Sequence, residues 1–193
     1  MRNKIGMIFM SLGTLLLAGA VSLLFWNQNE NRKADEASQE ILHRIVEEAE
    51  IEENVEKTLY EETMPEKVID GYGYIGYLTV PSLGLELPIM SDWSYAKLRI
   101  APCRYSGSTV TDDLVIAAHN YASHFGRLKE LKTGESVLFT DMNGKARVYE
   151  TVEINIMEPT DVEEMTSGEF AISLFTCTYG GKSRLTIRCI ERK

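Results

Sequence analysis

The spacing of apolar positions divides the chain into three stretches. Ile5 to Trp26 carries no charge and is apolar almost throughout, roughly the 20 residues a helix needs to cross a bilayer. From Asn27 to about Asp70 polar residues dominate, and apolar ones recur at Ile41, Leu42, Ile45, Val46 and Ala49, the rhythm of an amphipathic acidic helix. That stretch reads as a stalk: a solvated tether or, alternatively, a helix that packs on the following domain or covers its groove. Beyond Asp70 the texture turns to strands. Tyr72 to Val80 predicts a first one, stopped by Pro81-Ser82-Leu83-Gly84, and Leu85 to Met90 a second. Leu114 to His119 is nearly all apolar, as a strand covered on both faces would be. A short helix follows, with Ser123 as its cap and Phe125, Leu128 and Leu131 on one side, ending before Gly134. Val137 to Thr140 and Arg147 to Met157 predict a hairpin across Asp141-Met142-Asn143-Gly144, and Pro159-Thr160-Asp161 opens another short helix. Ala171 to Cys177 and Arg184 to Ile190 are the last two strands. Short strands, brief helices and no βαβ repetition predict a mainly β barrel or sandwich.

Charge sharpens the division. Asn27 to Asp70 holds 14 acidic and 5 basic residues, whereas Gly71 to Lys193 holds 15 and 13, so the acidity belongs to the stalk. The folded part lacks the basic stripe that a nucleic-acid binder needs to neutralise phosphates. Arg2 and Lys4 flank the apolar stretch on one side and Glu30 is the first charge on the other, which places the N-terminus in the cytoplasm and the rest outside. A cleaved signal peptide is the rival reading, because Ala18-Gly19-Ala20 resembles a cleavage site; apolar residues that continue through Trp26 favour a retained anchor. The expected organisation is therefore 1–26 as cytoplasmic N-terminus and membrane anchor, 27–70 as acidic extracytoplasmic stalk and 71–193 as the folded domain.

Cys103, Cys177 and Cys189 are odd in number and lack CxxC spacing, so neither a disulfide framework nor a zinc knuckle is indicated. Cys189 sits in a strand pattern and reads as a small buried hydrophobe. Cys103, in APCRYSG, has the polar, glycine-containing surroundings of a loop. Cys177 differs, because the run SLFTC sets it at the tip of an apolar strand and Arg184 begins the next strand after a tight glycine-containing loop. A thiolate attacking a carbonyl needs a donor nearby for the oxyanion, and a hairpin supplies both from adjacent strands. Arg188 shares a face with Arg184 but lies about 13 Å further along, which leaves Arg184 as the residue opposite Cys177. His119 ends the apolar strand LVIAAH just before a polar turn, held by the scaffold yet able to reach a cleft; His43, in the stalk, and His124, in the short helix, are poorer candidates. No HExxH, Walker A or dinucleotide glycine pattern occurs, so neither a metal nor another cofactor is expected.

Taken together, these residues resemble the sortase family of cysteine transpeptidases. Ser173-Leu174-Phe175-Thr176-Cys177 followed by Arg184 is similar to the TLxTC signature and its arginine, with serine where threonine is usual, and AAHN resembles the strand end that bears the family's histidine. YIGYLTVPSLGLELPIM, RYSGS and FGRLKELKTGESV resemble the flanking segments, so the likeness covers most of 72–193. It implies an eight-stranded β-barrel with short helices on a single membrane anchor, with Cys177 as nucleophile, His119 as proton donor and acceptor, Arg184 at the oxyanion, and Thr176 assisting the substrate by position. It further implies cleavage of an LPXTG-like sorting signal through a thioester and transfer to an amine of the cell wall or of another surface protein. The absence of a DPW or DPF motif upstream of Tyr72 speaks against the pilin-polymerising type, and the short Cys177 to Arg184 spacing leaves selectivity open. Two alternatives stand beside this reading: a cysteine peptidase that releases the acyl group to water, and a catalytically silent surface-binding module.

Overall fold

The computed structural model of the protein describes residues 2–52, 63–167 and 169–192. They fall into two compact units, Met1–Lys33 and Ala34–Lys193. The first is the N-terminal part of one long helix, α1 (Arg2–Glu52). Leu15, Leu16, Leu17, Leu23, Leu24, Phe25 and Trp26 all stand exposed there, so the described side chains of this part bury no apolar stripe. Among the described residues no helix is long and apolar enough to cross a membrane; the expected anchor, Ile5 to Trp26, begins in residues whose side chains lie outside those described.

In the second unit α1 continues with a different character. Ala34, Ser38, Ile41, Leu42 and Ile45 are buried, a spacing that puts all five on one helical face. Ile41 and Ile45 join an apolar cluster with Ile69, Tyr74, Met90 and Leu98, and Arg44 forms an ion pair with Asp70. Each isoleucine buried this way contributes about 1.5–3 kcal/mol relative to exposure. Residues 34–45 of the expected stalk thus form a helix packed on the domain, the alternative to a solvated tether; residues 53–62 of the stalk lie outside the described residues.

Nine strands form one sheet among the described residues: β1 (Lys67–Ile69), β2 (Tyr72–Val80), β3 (Leu85–Met90), β4 (Cys103–Ser106), β5 (Leu114–Ala118), β6 (Ser136–Asp141), β7 (Ala146–Met157), β8 (Ile172–Cys177) and β9 (Arg184–Glu191). Their order is β1-β2-β3-β4-β5-β8-β9-β7-β6, and β6 pairs back onto β2. That last pairing closes β2 to β9 into the expected eight-stranded barrel. Closure depends on Gly76, at φ +145°, where a Cβ would collide with the Thr140 carbonyl. The barrel is filled by Ile75, Leu78, Leu87, Ile116, Phe139, Tyr149, Leu174 and Ile187 among others.

Three local expectations need correction. β1 pairs with the start of β2, Ile69 against Tyr72, so the sheet reaches into the stretch read as stalk. Cys103 lies in β4, paired with Met90 and Ala117, not in a loop; strands on both sides supply the order that its polar neighbours do not suggest. The helix after β5 is a 3-10 helix, Phe125–Glu130, preceded by His124 rather than capped by Ser123. The other short helix is α2 (Val162–Met165), entered from Asp161.

Candidate active site

The strand register brings the three expected residues together. β5 and β8 run parallel with Ala118 opposite Thr176, so one further step sets His119 beside Cys177. β8 and β9 run antiparallel with Cys177 opposite Arg184. Neighbouring strands lie about 4.8 Å apart, which confines the three α-carbons to one end of three consecutive strands. They also share a face. Leu114, Ile116 and Ala118 of β5, Ile172 and Leu174 of β8, and Leu185, Ile187 and Cys189 of β9 point into the barrel. Side chains alternate along a strand, so His119, Cys177 and Arg184 all belong to the outer face. All three are half-buried.

Each is fixed by its surroundings. Thr176 faces the opposite way from Cys177; the residue is 3% exposed and its hydroxyl donates to the Ala118 carbonyl at 2.8 Å. That bond ties β8 to β5 one residue before the site and occupies the Thr176 hydroxyl. The chain after His119 folds back on itself: the Phe125 N–H donates to the His119 carbonyl at 3.2 Å, and the His124 and Gly126 N–H groups donate to the Tyr121 carbonyl at 3.0 and 2.9 Å. A Cβ at Gly126 would lie 2.5 Å from the Asn120 carbonyl, so this turn closes only around glycine. The His119 ring packs on Tyr121, with centroids 4.9 Å apart. Burial first, and then the positive charge of Arg99, hold the imidazole below its ordinary 6.5, which keeps it neutral at neutral pH.

Arg184 is half-buried where a plain hairpin-end arginine would point to solvent. Its Nη1 donates to the Gly181 and Ser183 carbonyls at 3.2 and 3.1 Å. A guanidinium carries five donors, and those on Nη2 and Nε have no partner among the described residues. The loop beneath it is closed by Thr178 and Ser183, whose hydroxyls lie 2.9 Å apart, with the Thr178 N–H donating to the Ser183 carbonyl. Tyr179 at its tip is fully exposed.

The remaining cysteines and histidines fall elsewhere. Cys103 and Cys189 are buried, and burial pushes both thiols up to about 12, far from the thiolate a nucleophile needs. Cys177 is the one cysteine of the three with solvent access. His43 lies on α1 in an exposed contact with Glu47. His124 is sealed beside the site, its ring 5.5 Å from that of Tyr121. Among the described residues no His, Cys, Asp and Glu side chains gather as a metal-binding group.

Sequence reasoning passed over the neighbours of this face. Phe175, two residues before Cys177 and on its side of β8, meets the Tyr105 ring edge-on at 5.1 Å; Tyr105 meets Trp93 at 5.4 Å, and Trp93 meets Tyr95 at 5.8 Å. An open cleft of about 480 Å³ lies along Ser91, Asp92, Trp93, Arg104 and Tyr105. The alternation of β8 was enough to place Phe175 with Cys177, but nothing local in the sequence joins Trp93 to them.

Comparison with known proteins agrees with this architecture. The model of the Sortase domain family matches residues 78–191, more than half of the chain. Sortase C1 from Streptococcus suis is similar at 25% identity, with a TM-score of 0.55 over 62% of this chain and 73% of that one. Sortase C of Streptococcus pneumoniae gives 20% identity and a TM-score of 0.58 over 86% and 89%. Sortase A from Corynebacterium diphtheriae gives 18% identity and 0.58 over 89% and 96%. No curated protein matches the chain.

Proposed function

Because the chain belongs to the sortase family, a family of cysteine transpeptidases that act on sorting-signal surface proteins and pilins, we propose that it cleaves an LPXTG-like sorting signal and passes the acyl group to an amine. One observation carries this reading: the Cys177, His119 and Arg184 positions share one face at one level of three consecutive strands. Cys177 Sγ attacks the carbonyl carbon of the scissile peptide bond while its proton moves to the neutral His119 imidazole. The tetrahedral oxyanion is met by the unspent donors of Arg184. As the C–N bond breaks, His119 returns that proton to the leaving amine, and a thioester remains on Cys177. An incoming amine, from a cell-wall precursor or a pilin-like protein, attacks the thioester, gives its proton to His119 and leaves with the acyl group, while the thiol is restored. Thr176 contributes by fixing the level of Cys177 against His119.

The membrane anchor belongs to the same proposal. Its support is the uncharged run from Ile5 to Trp26 and the exposure of the large apolar side chains toward its end, a surface suited to lipid. The catalytic domain then lies outside the cell. The experiment is direct: wild-type protein and Cys177→Ala are incubated with peptides carrying sorting motifs, with and without an added amine, and analysed by mass spectrometry. Wild type is expected to give a covalent acyl adduct and an amine-transferred product, and Cys177→Ala neither. An adduct that survives Cys177→Ala removes the thiol from the mechanism, and release to water alone in the presence of amine reduces the activity to a peptidase.

A further inference from the structure

β3 and β4 touch at a single pair, Met90 with Cys103, and then part; the gap between them is the open cleft along Ser91, Asp92, Trp93, Arg104 and Tyr105. A bulge follows Arg104 in its ladder with β5, and bulges re-aim side chains, so the neighbours Arg104 and Tyr105 both line the cleft. One wall is aromatic. Trp93, 40% exposed, lies on Tyr105 with the rings tilted by 31° and their centroids 5.4 Å apart. The other feature is a cation without an anion. Arg104 is half-buried, and its Nε donates to the Ser91 carbonyl at 2.7 Å, which fixes the guanidinium at the lip. Among the described residues Nη1 and Nη2 have no acceptor, and no carboxylate forms an ion pair with Arg104. The acids nearby are committed elsewhere: Asp92 pairs with Lys97, and Glu66 accepts from the Ser91 hydroxyl at 2.9 Å. A guanidinium keeps its charge at any working pH and its donors are costly to leave unmet, yet here they stand open beside two aromatic rings.

We propose that this cleft is a subsite for an acidic side chain of the protein substrate, with Arg104 receiving the carboxylate and Trp93 and Tyr105 the apolar part of an adjoining residue; the inference rests on the transpeptidase reading above. A guanidinium fork matches a carboxylate through two parallel bonds, and aromatic faces offer apolar area. A monoanion suits the cleft better than a phosphate dianion, because Asp92 lies in the lining and Glu66 is bonded to Ser91 behind it. The place of the acid relative to the thiol follows from the packing. Phe175, two residues before Cys177 on the same face of β8, meets the Tyr105 ring at 5.1 Å. With about 3.3 Å per strand residue, the cleft lies on the order of 15 Å from Cys177, a distance that an extended peptide covers in about five residues. The acid recognised here therefore flanks an LPXTG-like core and stays clear of the reacting atoms. Such a contact is made equally before and during the chemistry, so its effect falls on KM and not on kcat.

The test uses the full chain and fluorogenic LPXTG peptides that carry one Glu, or one Gln as its neutral match, at each flanking position within about seven residues of the scissile bond, with KM and kcat measured separately. Wild type is expected to prefer Glu at about the fifth position, with KM lower than for Gln by about tenfold, as for a charge-assisted bidentate pair, and kcat equal within about twofold. In Arg104→Gln the two peptides should have the same KM. In Arg104→Lys, which keeps the charge and loses the fork, the ratio should fall to about threefold. Trp93→Leu should raise KM for both peptides and leave their ratio in place. A merely structural Arg104 would not move that ratio. Wild type that discriminates at no position overturns the proposal, as does a preference that survives Arg104→Gln; where that variant does not fold, an undiminished ratio in Arg104→Lys overturns it. Wild type that turns over none of the peptides refutes the transpeptidase reading instead. Binding of the same Glu and Gln peptides, followed by Trp93 fluorescence in a Trp26→Phe background, then decides on the subsite, and equal affinities overturn it.

Discussion

His124 offers the sharpest quantitative test of how the site is held. Its ring is fully buried, neither nitrogen has a hydrogen-bond partner among the described residues, and burial lowers it to about 4 from 6.5. The carbonyls of Ala34 and Ile100 favour the protonated ring in part, without meeting hydrogen-bond geometry, and the His119 charge opposes it. In the unfolded chain the same imidazole takes up a proton as pH falls through about 6.5; in the folded chain it resists until about 4. The unfolded state therefore binds more protons across this window, so stability is fully present above pH 6.5 and is lost as pH falls toward 4. At 1.36 kcal/mol per pH unit the loss is roughly 3 kcal/mol. His124→Phe removes both the titration and two unpartnered polar atoms, so the variant should be at least as stable as wild type at pH 7 and should lack this component in acid. Urea unfolding of both proteins from pH 7 to 4.5, followed by Trp93 fluorescence in a Trp26→Phe background, measures the difference, and carboxylate titrations common to both cancel. Parallel stability curves for the two proteins would refute the reasoning.

Other consequences are equally open to measurement. Because His119 must start neutral and its pKa is depressed, kcat/KM should fall in acid with an inflection below 6.5; Arg99→Gln, which removes the cation beside it, should move that inflection up toward 6.5, and an unmoved profile would detach Arg99 from the site. Arg184→Lys should lower kcat by about 100-fold or more, as loss of an oxyanion donor does, because an ammonium cannot reproduce the planar fork; steady-state kinetics with the peptide substrate decides this. Thr176→Val should cost about 1 kcal/mol of stability through the lost bond to Ala118, seen in urea midpoints, together with a reduced kcat as β8 loosens against β5. Gly126→Ala forces a methyl against the Asn120 carbonyl and should cost about 1–3 kcal/mol by overpacking, with activity falling because His119 rides on the same turn.

The parts of this molecule that follow from local rules were readable in the sequence. Leu114 to Ala118 and Ile172 to Cys177 are strands because their residues are mostly apolar and buried on both faces, one filling the barrel and the other sharing a buried cluster with Met165, Ile41 and Ile45. The same double burial left the inward face of each strand unspecified, since alternation disappears when both faces are apolar. β4 escaped notice because it is short, carries Arg104, Tyr105 and Ser106, and is ordered by its partners β3 and β5. Ile41 and Ile45 announced an amphipathic helix, but what that helix packs on is a tertiary fact. Cys177 and Arg184 could be paired from the hairpin alone; His119, 58 residues before Cys177 in sequence, needed the parallel β5–β8 pairing, which no local pattern encodes.

What makes a surface of this barrel reactive is register. Side chains repeat every second residue, so a slip of β8 by one position would turn Cys177 inward among the aliphatic side chains and bring Thr176 out in its place. Several independent features oppose that slip. Ile172 and Leu174 fill the interior between Ile116 and Ile187, and moving them out would expose both. The Thr176 hydroxyl has its acceptor, Ala118, only in the present register, and Ser173 meets Arg188 only when Cys177 meets Arg184, since both are pairs of one antiparallel ladder. The interactions that stabilise the strand are thus the ones that aim the thiol, and a substitution at Thr176, whose side chain faces away from the sulfur, reaches the chemistry through the ladder it shares with it.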